Sequence, residues 1–513
     1  MRGSILLSRA LARVYPTYQG PISLSRQLFR QLSKESFLYG LSAAAAKLVG
    51  FILVPVYTRT LAQSDYGILD LLITGMSVLS SVVILGMDSS VALVFYQTDD
   101  TQERRKVTST FLYFELAFTT TMAAVLILLA EPLATFALGS ASYVPEVQLA
   151  IATIPFAVCM TMFLDVTRLI RMPLRYMALA VGNLLLTSLL IIGAVVNLRM
   201  GIVGILWATL VGNVVFSLVA WISTRKQYGW YFSNKVLRRM IYLGAPLAVA
   251  AVALWIVSFS NRWFLLHLTS SPEQVAIFAL ASRLVAPVVL MVTAFQIAWV
   301  PFSLSIARET AAPPVYARTV LYFLTATFGV LILITLWADP LIRIFSTDAY
   351  LPASQIIALV GATSIATGLY FIVSTGLNLA GKTLHVSWIT MVAASVGIGL
   401  NLVLIPALGV VGAAIAGLAA TFTPVILIYA VAQRLYRIPY DLFRICVLSA
   451  VSAALLAFGT LLHIGSPGID FVLRVSTVVL FVALLVPIGV VGAHEIEEVR
   501  RVLRRLVSRS AGT

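Results

Sequence analysis

Four basic side chains fall where an apolar environment makes charge costly. Lys47 lies about eleven residues into a long hydrophobic run, near its middle, and Arg283 lies inside another. Arg59 and Arg262 stand near the ends of theirs. A cation at the centre of a membrane helix costs at least ~2.5–3.5 kcal/mol on insertion scales, so such residues face a wet cavity or a partner. Arginine presents paired donors in one plane that match a phosphate edge, and lysine presents a point charge. These types in these places point to an anionic, phosphate-bearing ligand. The reading puts Lys47 and Arg283 at the centre of a cationic cavity, with Arg59 and Arg262 at its outer mouth. The plainer alternative for Arg59 and Arg262 is that they snorkel to the membrane interface.

Three acids, Asp88, Glu115 and Asp165, fall near the ends of the second, third and fourth apolar runs. They pair with nearby arginines such as Arg168 and Arg171, or they form a cation-coupling site. Salt bridges here would break and reform as a gate, and Asp88 and Asp165 are the candidates for gating or ion coupling. The two cysteines, Cys159 and Cys446, sit inside apolar runs without a CxxC partner, and the four histidines are scattered. No metal site or cofactor is expected. Gly376 to Thr383 satisfies the phosphate-loop pattern GxxxxGK[ST], but it bridges two apolar runs with no strand before it. The pattern works only between a strand and a helix of a nucleotide-binding domain. Gly381-Lys382 is therefore read as a short turn.

The elements that must position these groups follow from composition. The chain is 60% hydrophobic and 11% charged, with mean hydropathy +0.99. Apolar runs of about 20 residues span a bilayer as helices, each satisfying its own backbone hydrogen bonds. Fourteen such runs are read between residues 36 and 490. The fold class is an all-α polytopic membrane protein. A basic tail (1–34) precedes six spans (35–224) and six more (240–433). Two further helices (444–490) and a basic amphipathic segment (491–513) follow.

The net charge of +15 does not call for nucleic acid as a partner. With the N-terminus in the cytoplasm, 28 of the 35 lysines and arginines fall on cytoplasmic segments. That bias sets topology and faces anionic membrane lipids. An even number of spans returns the C-terminus to the same side.

The chain also repeats itself. "AEPL" at Ala130 to Leu133 returns as "ADPL" at Ala338 to Leu341, and "GIVG" at Gly201 to Gly204 returns as "GVVG" at Gly409 to Gly412, both 208 residues on. Two six-helix lobes entering the membrane in the same direction are related by an axis along its normal, with the site where they meet. That is the architecture of a carrier.

Longer stretches carry a family resemblance. "ESFLYGLSAAAAKLVGFILVPVYTRTLAQSDYGILDL" (Glu35 to Leu71), "LGMDSSVALVFY" (Leu85 to Tyr96) and Ser258 to Phe302, with its Phe-x-x-Ala-Trp-x-Pro-Phe ending, resemble polysaccharide-biosynthesis flippases of the Wzx type. These are members of the multidrug/oligosaccharidyl-lipid/polysaccharide exporter superfamily. Where many relatives read Asp-Arg, this chain reads Asn261-Arg262. The resemblance implies a flippase for an undecaprenyl-pyrophosphate-linked oligosaccharide. It would serve O-antigen, capsule or exopolysaccharide synthesis in the bacterial cytoplasmic membrane, with both termini inside. It implies H+ or Na+ as a coupling partner and other polysaccharide assembly proteins as neighbours. A peptidoglycan-precursor flippase and a drug/cation antiporter of the same superfamily are the nearest alternatives. An antiporter's cargo is cationic and asks for an acid-lined cavity. An enzyme, such as a polytopic polymerase or ligase, needs catalytic groups on a sizeable aqueous loop, and the connections are short.

Overall fold

A computed structural model of the chain describes residues 38–42, 44–307, 309–379, 384–461 and 467–490. The basic tail, the amphipathic segment 491–513 and the Gly381-Lys382 turn lie outside the described residues. The described residues are helices, turns and short connections, with no strand among them.

The first six long helices are Leu38–Thr60 (α1), Gln63–Phe95 (α2), Thr101–Leu128 (α3), Ala141–Leu169 (α4), Pro173–Asn197 (α5) and Gly201–Gln227 (α6). Asn234–Thr269 is α7. Pro272–Leu284 (α8) and Ala286–Ser305 (α9) follow. Next come Ala312–Leu336 (α10), Asp348–Leu377 (α11), Trp388–Leu408 (α12), Val410–Leu435 (α13) and Leu442–Gly459 (α14). Pro467–Leu484 is α15. Among the described residues, eleven helices are long and apolar enough to cross a membrane, or twelve with the bent α8–α9 pair as one span. The sequence predicts fourteen. Helices α7 and α15 stand at the two remaining positions without belonging to that set.

The repeated motifs have the same local structure in both places. Helix α3 turns at Leu129 (φ −98°, ψ 17°) into the short helix Ala130–Leu138, and α10 turns at Trp337 (φ −100°, ψ 19°) into Ala338–Phe345. Pro132 and Pro340 sit in the first turn, where a missing N–H costs nothing. Glu131 and Asp339 beside them complement the helix dipole. The glycine pair answers to a backbone need. Gly201 and Gly409 have φ of +58° and +56°, the left-handed region that glycine enters without strain.

Two spans are interrupted. Leu85 (φ 52°) and Gly86 (φ 68°) break α2 ahead of the helix Met87–Phe95. Helices α8 and α9 meet at 52°. Pro287 has no N–H to give the carbonyl of Arg283 and its ring crowds that carbonyl, so the first half ends there.

The chain divides into two compact units. One holds the chain up to Val49 with Leu72–Trp255, and the other holds Gly50–Leu71 with Ile256–Thr513. In the first, α4 packs between α3 and α6 around Met87, Val91, Phe111, Met162 and Phe163. In the second, α11 packs against α9, α10 and α13. The tryptophan of the Phe-x-x-Ala-Trp motif is core there. Trp299 is buried, stacks on Phe295 and donates to Thr375 Oγ1 at 2.9 Å. Many Leu, Val, Ile, Phe and Trp side chains remain exposed, among them Leu189, Trp207, Val403 and Ile426. Hydrocarbon is a fitting solvent for them.

Candidate functional site

In the second unit, the hairpin Gly50–Leu71 carries Arg59, Gln63, Tyr66 and Asp70. Its first arm, Val54–Thr60, starts with a proline in its first turn and ends on a basic residue, Arg59. Arg59 Nη2 donates to the carbonyls of Ile344 (2.7 Å) and Arg343 (3.4 Å), and Thr58 Oγ1 donates to that of Phe345 at 3.0 Å. Those carbonyls end the short helix Ala338–Phe345 and have no partner within it. A guanidinium there also meets the negative end of the helix dipole. Gln63 Nε2 adds a bond to the Ala349 carbonyl at 3.1 Å, and Phe51 packs on Phe345 with ring centroids 4.5 Å apart. Arg59 is exposed, so Arg59→Ala should lower thermal stability by no more than about 1 kcal/mol. Unfolding in detergent measures it, and Arg59→Lys should retain most of the loss.

Arg262 is an ion-pair residue. Its Nε meets Asp70 Oδ2 at 2.5 Å, with the side chains 16% and 7% exposed. The guanidinium carbon lies 5.2 Å from the centroid of Phe278, a cation–π contact. Next to it, Asn261 Oδ1 accepts from Asn401 Nδ2 at 2.7 Å, and both are buried. Gly417 makes room, since a Cβ there would stand 2.5 Å from Asn261 Nδ2. The Asn261-Arg262 dipeptide is thus bonded on both residues, its acid supplied by α2.

Arg283 closes the group. It is partly buried in the last turn of α8, just before the Pro287 break. The Tyr66 hydroxyl lies within side-chain hydrogen-bonding reach, and Tyr57 and Asp70 act on its charge. One guanidinium nitrogen sits 3.3 Å from where a Cβ on Gly50 would be. Tyr57 stacks against Tyr66, and Tyr66 meets Tyr350 edge-on. Among the described residues, Asp70 is bonded to Arg262 and also acts on Arg283, so two guanidiniums bear on this one carboxylate and net positive charge stays among these three groups.

The other candidates lie in the first unit. Lys47 is exposed on α1. Asp165, on α4, accepts from Arg168 Nη2 at 2.7 Å. Asp88 stands in the first turn after the α2 break, partly buried and within electrostatic reach of Asp165 and Glu115. Sequence reasoning missed Asp70. The signal was available: an acid eight residues into an apolar helix asks for a named partner by default.

Long apolar helices and ionisable groups held inside the spans define an all-α polytopic membrane protein. More particularly, the chain belongs to the polysaccharide biosynthesis protein family, whose model matches residues 32–307, over half its length. Its fold is similar to that of the lipid II flippase MurJ in an inward closed conformation, with TM-score 0.66, 15% identity, and 88% of this chain and 98% of that one covered. It is also similar to an inward-facing multidrug resistance MATE transporter of the MOP superfamily (TM-score 0.62, 16% identity, 76% and 94% covered). A third is a MOP superfamily transporter from Pyrococcus furiosus described by the reverse polarity of its binding pocket (TM-score 0.52, 14% identity, 78% and 95% covered). At these identities the likeness is one of fold. No curated protein matches the chain in sequence.

Proposed function

We propose that the protein is a flippase that moves an undecaprenyl-pyrophosphate-linked oligosaccharide from the inner to the outer leaflet of the bacterial cytoplasmic membrane. The cargo feeds O-antigen, capsule or exopolysaccharide assembly, and the cycle is alternating access driven by an ion gradient or the membrane potential. Both termini face the cytoplasm, a placement supported by the bias of basic residues. Family membership supports the link to polysaccharides, and the fold likeness to a flippase of a lipid-linked precursor supports a lipid-borne cargo.

The observation that carries the reading is the excess guanidinium charge at Arg283, beside neutral phenols and Gly50. A pyrophosphate head takes paired N–H donors, and phenol hydroxyls add donors without adding charge. The Arg262–Asp70 pair holds the wall. A cationic drug would be repelled by Arg283, which disfavours the antiporter alternative.

Arg283→Ala should cut surface polysaccharide about tenfold or more and make the lipid-linked oligosaccharide accumulate in the membrane, while Arg283→Lys keeps part of the export. Analysis of extracted lipids after confirming membrane levels of each variant measures this. Export by Arg283→Ala at the wild-type rate would overturn the reading. Accumulation of a peptidoglycan precursor in place of the oligosaccharide would shift it to the nearest alternative.

A further inference from the structure

Glu115 is a carboxyl that the proposed cargo site does not use. It stands near the middle of the 28-residue helix α3 and is 0% exposed. Among the described residues, neither of its side-chain oxygens has a hydrogen-bond partner. Its neighbourhood is apolar. Phe111 and Leu112, one turn earlier on α3, share a core with Met87, Val91, Cys159 and Met160.

The ionisable groups that bear on it come from three elements. Asp88 acts on it from the second part of α2, and Glu115 in turn acts on Cys159 of α4. Asp88 also bears on Asp165, which Arg168 holds, and Cys159 bears on Tyr228. The cations Arg225 and Lys226 belong to the turn docked at the start of α3, where Arg105 donates to the Lys226 carbonyl at 3.0 Å. Ten residues of helix, about 15 Å, separate Arg105 from Glu115. An ionised carboxylate with no donor, in an apolar wall and beside a second acid, is strongly disfavoured, and a neutral acid is tolerated. A bound cation would need a shell of oxygens. Its surroundings are a thiol, hydrocarbon and one further carboxyl, Asp88, and among the described residues no three His, Cys, Asp or Glu side chains converge as metal ligands.

We propose that Glu115 is the proton-carrying group of the transport cycle, neutral in the state described and ionised when water reaches it. An Oε–H bond forms with a proton delivered by water from one side of the membrane. It breaks with the proton returned to water on the other side, and nothing is oxidised or reduced. The joint at Leu85–Gly86 sits just before Asp88, so movement of Met87–Phe95 changes the field at Glu115 and its access to water. A Cβ on Gly244 would stand 2.8 Å from the Leu85 carbonyl, so α7 is fitted tightly against that joint. The protonation rests on the burial and the unpartnered oxygens of Glu115, whereas the coupling rests on the flippase reading.

Two measurements separate these. Infrared spectra of the full chain in lipid nanodiscs should show a protonated carboxylic-acid C=O band at neutral pH that E115Q lacks and D88N retains. Absence of the band from wild type, or its persistence in E115Q, overturns the proposal. The second uses proteoliposomes with undecaprenyl pyrophosphate as the probe lipid. An imposed pH gradient should speed translocation by wild type about tenfold, and E115Q should move the probe at one rate with or without the gradient. A pH response retained by E115Q overturns the proposal, as does a sodium gradient driving wild type at equal pH. If wild type moves no probe in any gradient, the flippase reading falls and the infrared band alone decides the state of Glu115. E115D, which keeps a carboxyl, should restore both the band and the gradient response if E115Q folds poorly.

Discussion

Asp70→Ala should cost the protein about 3–5 kcal/mol, the range seen when one member of a buried ion pair is removed. The reasoning starts from exposure. Asp70 is 7% exposed and Arg262 16%, at 2.5 Å, so water screens neither charge. Polar contacts inside membrane proteins average well under 1 kcal/mol, because an unfolded helix in lipid finds other partners. A buried guanidinium is a stronger case, since a full positive charge loses the carboxylate that neutralises it. The loss also spreads, because Arg283 feels Asp70 as well and the cluster then holds two like charges. Asp70→Asn should recover part of the loss through an amide oxygen that still accepts from Arg262. Thermal unfolding in nanodiscs across Asp70→Ala, Arg262→Ala and the double variant measures the coupling. The double variant should be destabilised by clearly less than the two singles combined. Strict additivity would show that the pair does not act as a unit.

How much of this was legible beforehand depended on the kind of signal. Helix and span order came from hydropathy, and the paired turns at Leu129 and Trp337 from a four-residue echo. Both are local properties of the chain. The glycines at 201 and 409 were visible as a motif, and their φ values give the reason for it. Ion pairing across 192 residues was not legible, because no local pattern says that Asp70 faces Arg262. The role of Arg59 was hidden for the same reason: it depends on where Phe345 ends a helix. The same non-local packing assigns Gly50–Leu71 to the unit formed mostly by the second half of the chain. Periodicity reads the span but cannot say which neighbour holds its end.

Gly67→Ala should act on that hairpin as a wedge, and Gly67→Val more severely. A Cβ at Gly67 would stand 2.0 Å from the carbonyl oxygen of Pro272 and 3.2 Å from the amide nitrogen of Ala276. Ordinary contact begins at 3.4 Å, and these neighbours are backbone at the start of α8, not a side chain that can turn away. Overpacking of this kind costs about 1–3 kcal/mol. Here the position multiplies the effect. Tyr66, the neighbour of Arg283, precedes Gly67, and Asp70, the partner of Arg262, follows one turn on. One methyl group therefore moves the phenol, the carboxylate and the hairpin together. Gly412→Ala meets a similar obstacle, the Leu404 carbonyl at 2.2 Å, but it stands apart from these residues in the sequence, and the atoms nearest a Cβ there belong to Leu404 and Ile405. It should lower stability while export by the remaining folded protein stays high. Gly193→Ala, with nothing within 4 Å, should be silent or slightly stabilising. Thermal unfolding and export per folded molecule, measured across all three, separate a packing defect from a defect in the site. If Gly67→Ala behaves like Gly193→Ala, the close approach of α2 to α8 does not hold the hairpin, and the arrangement around Arg283 must have another cause.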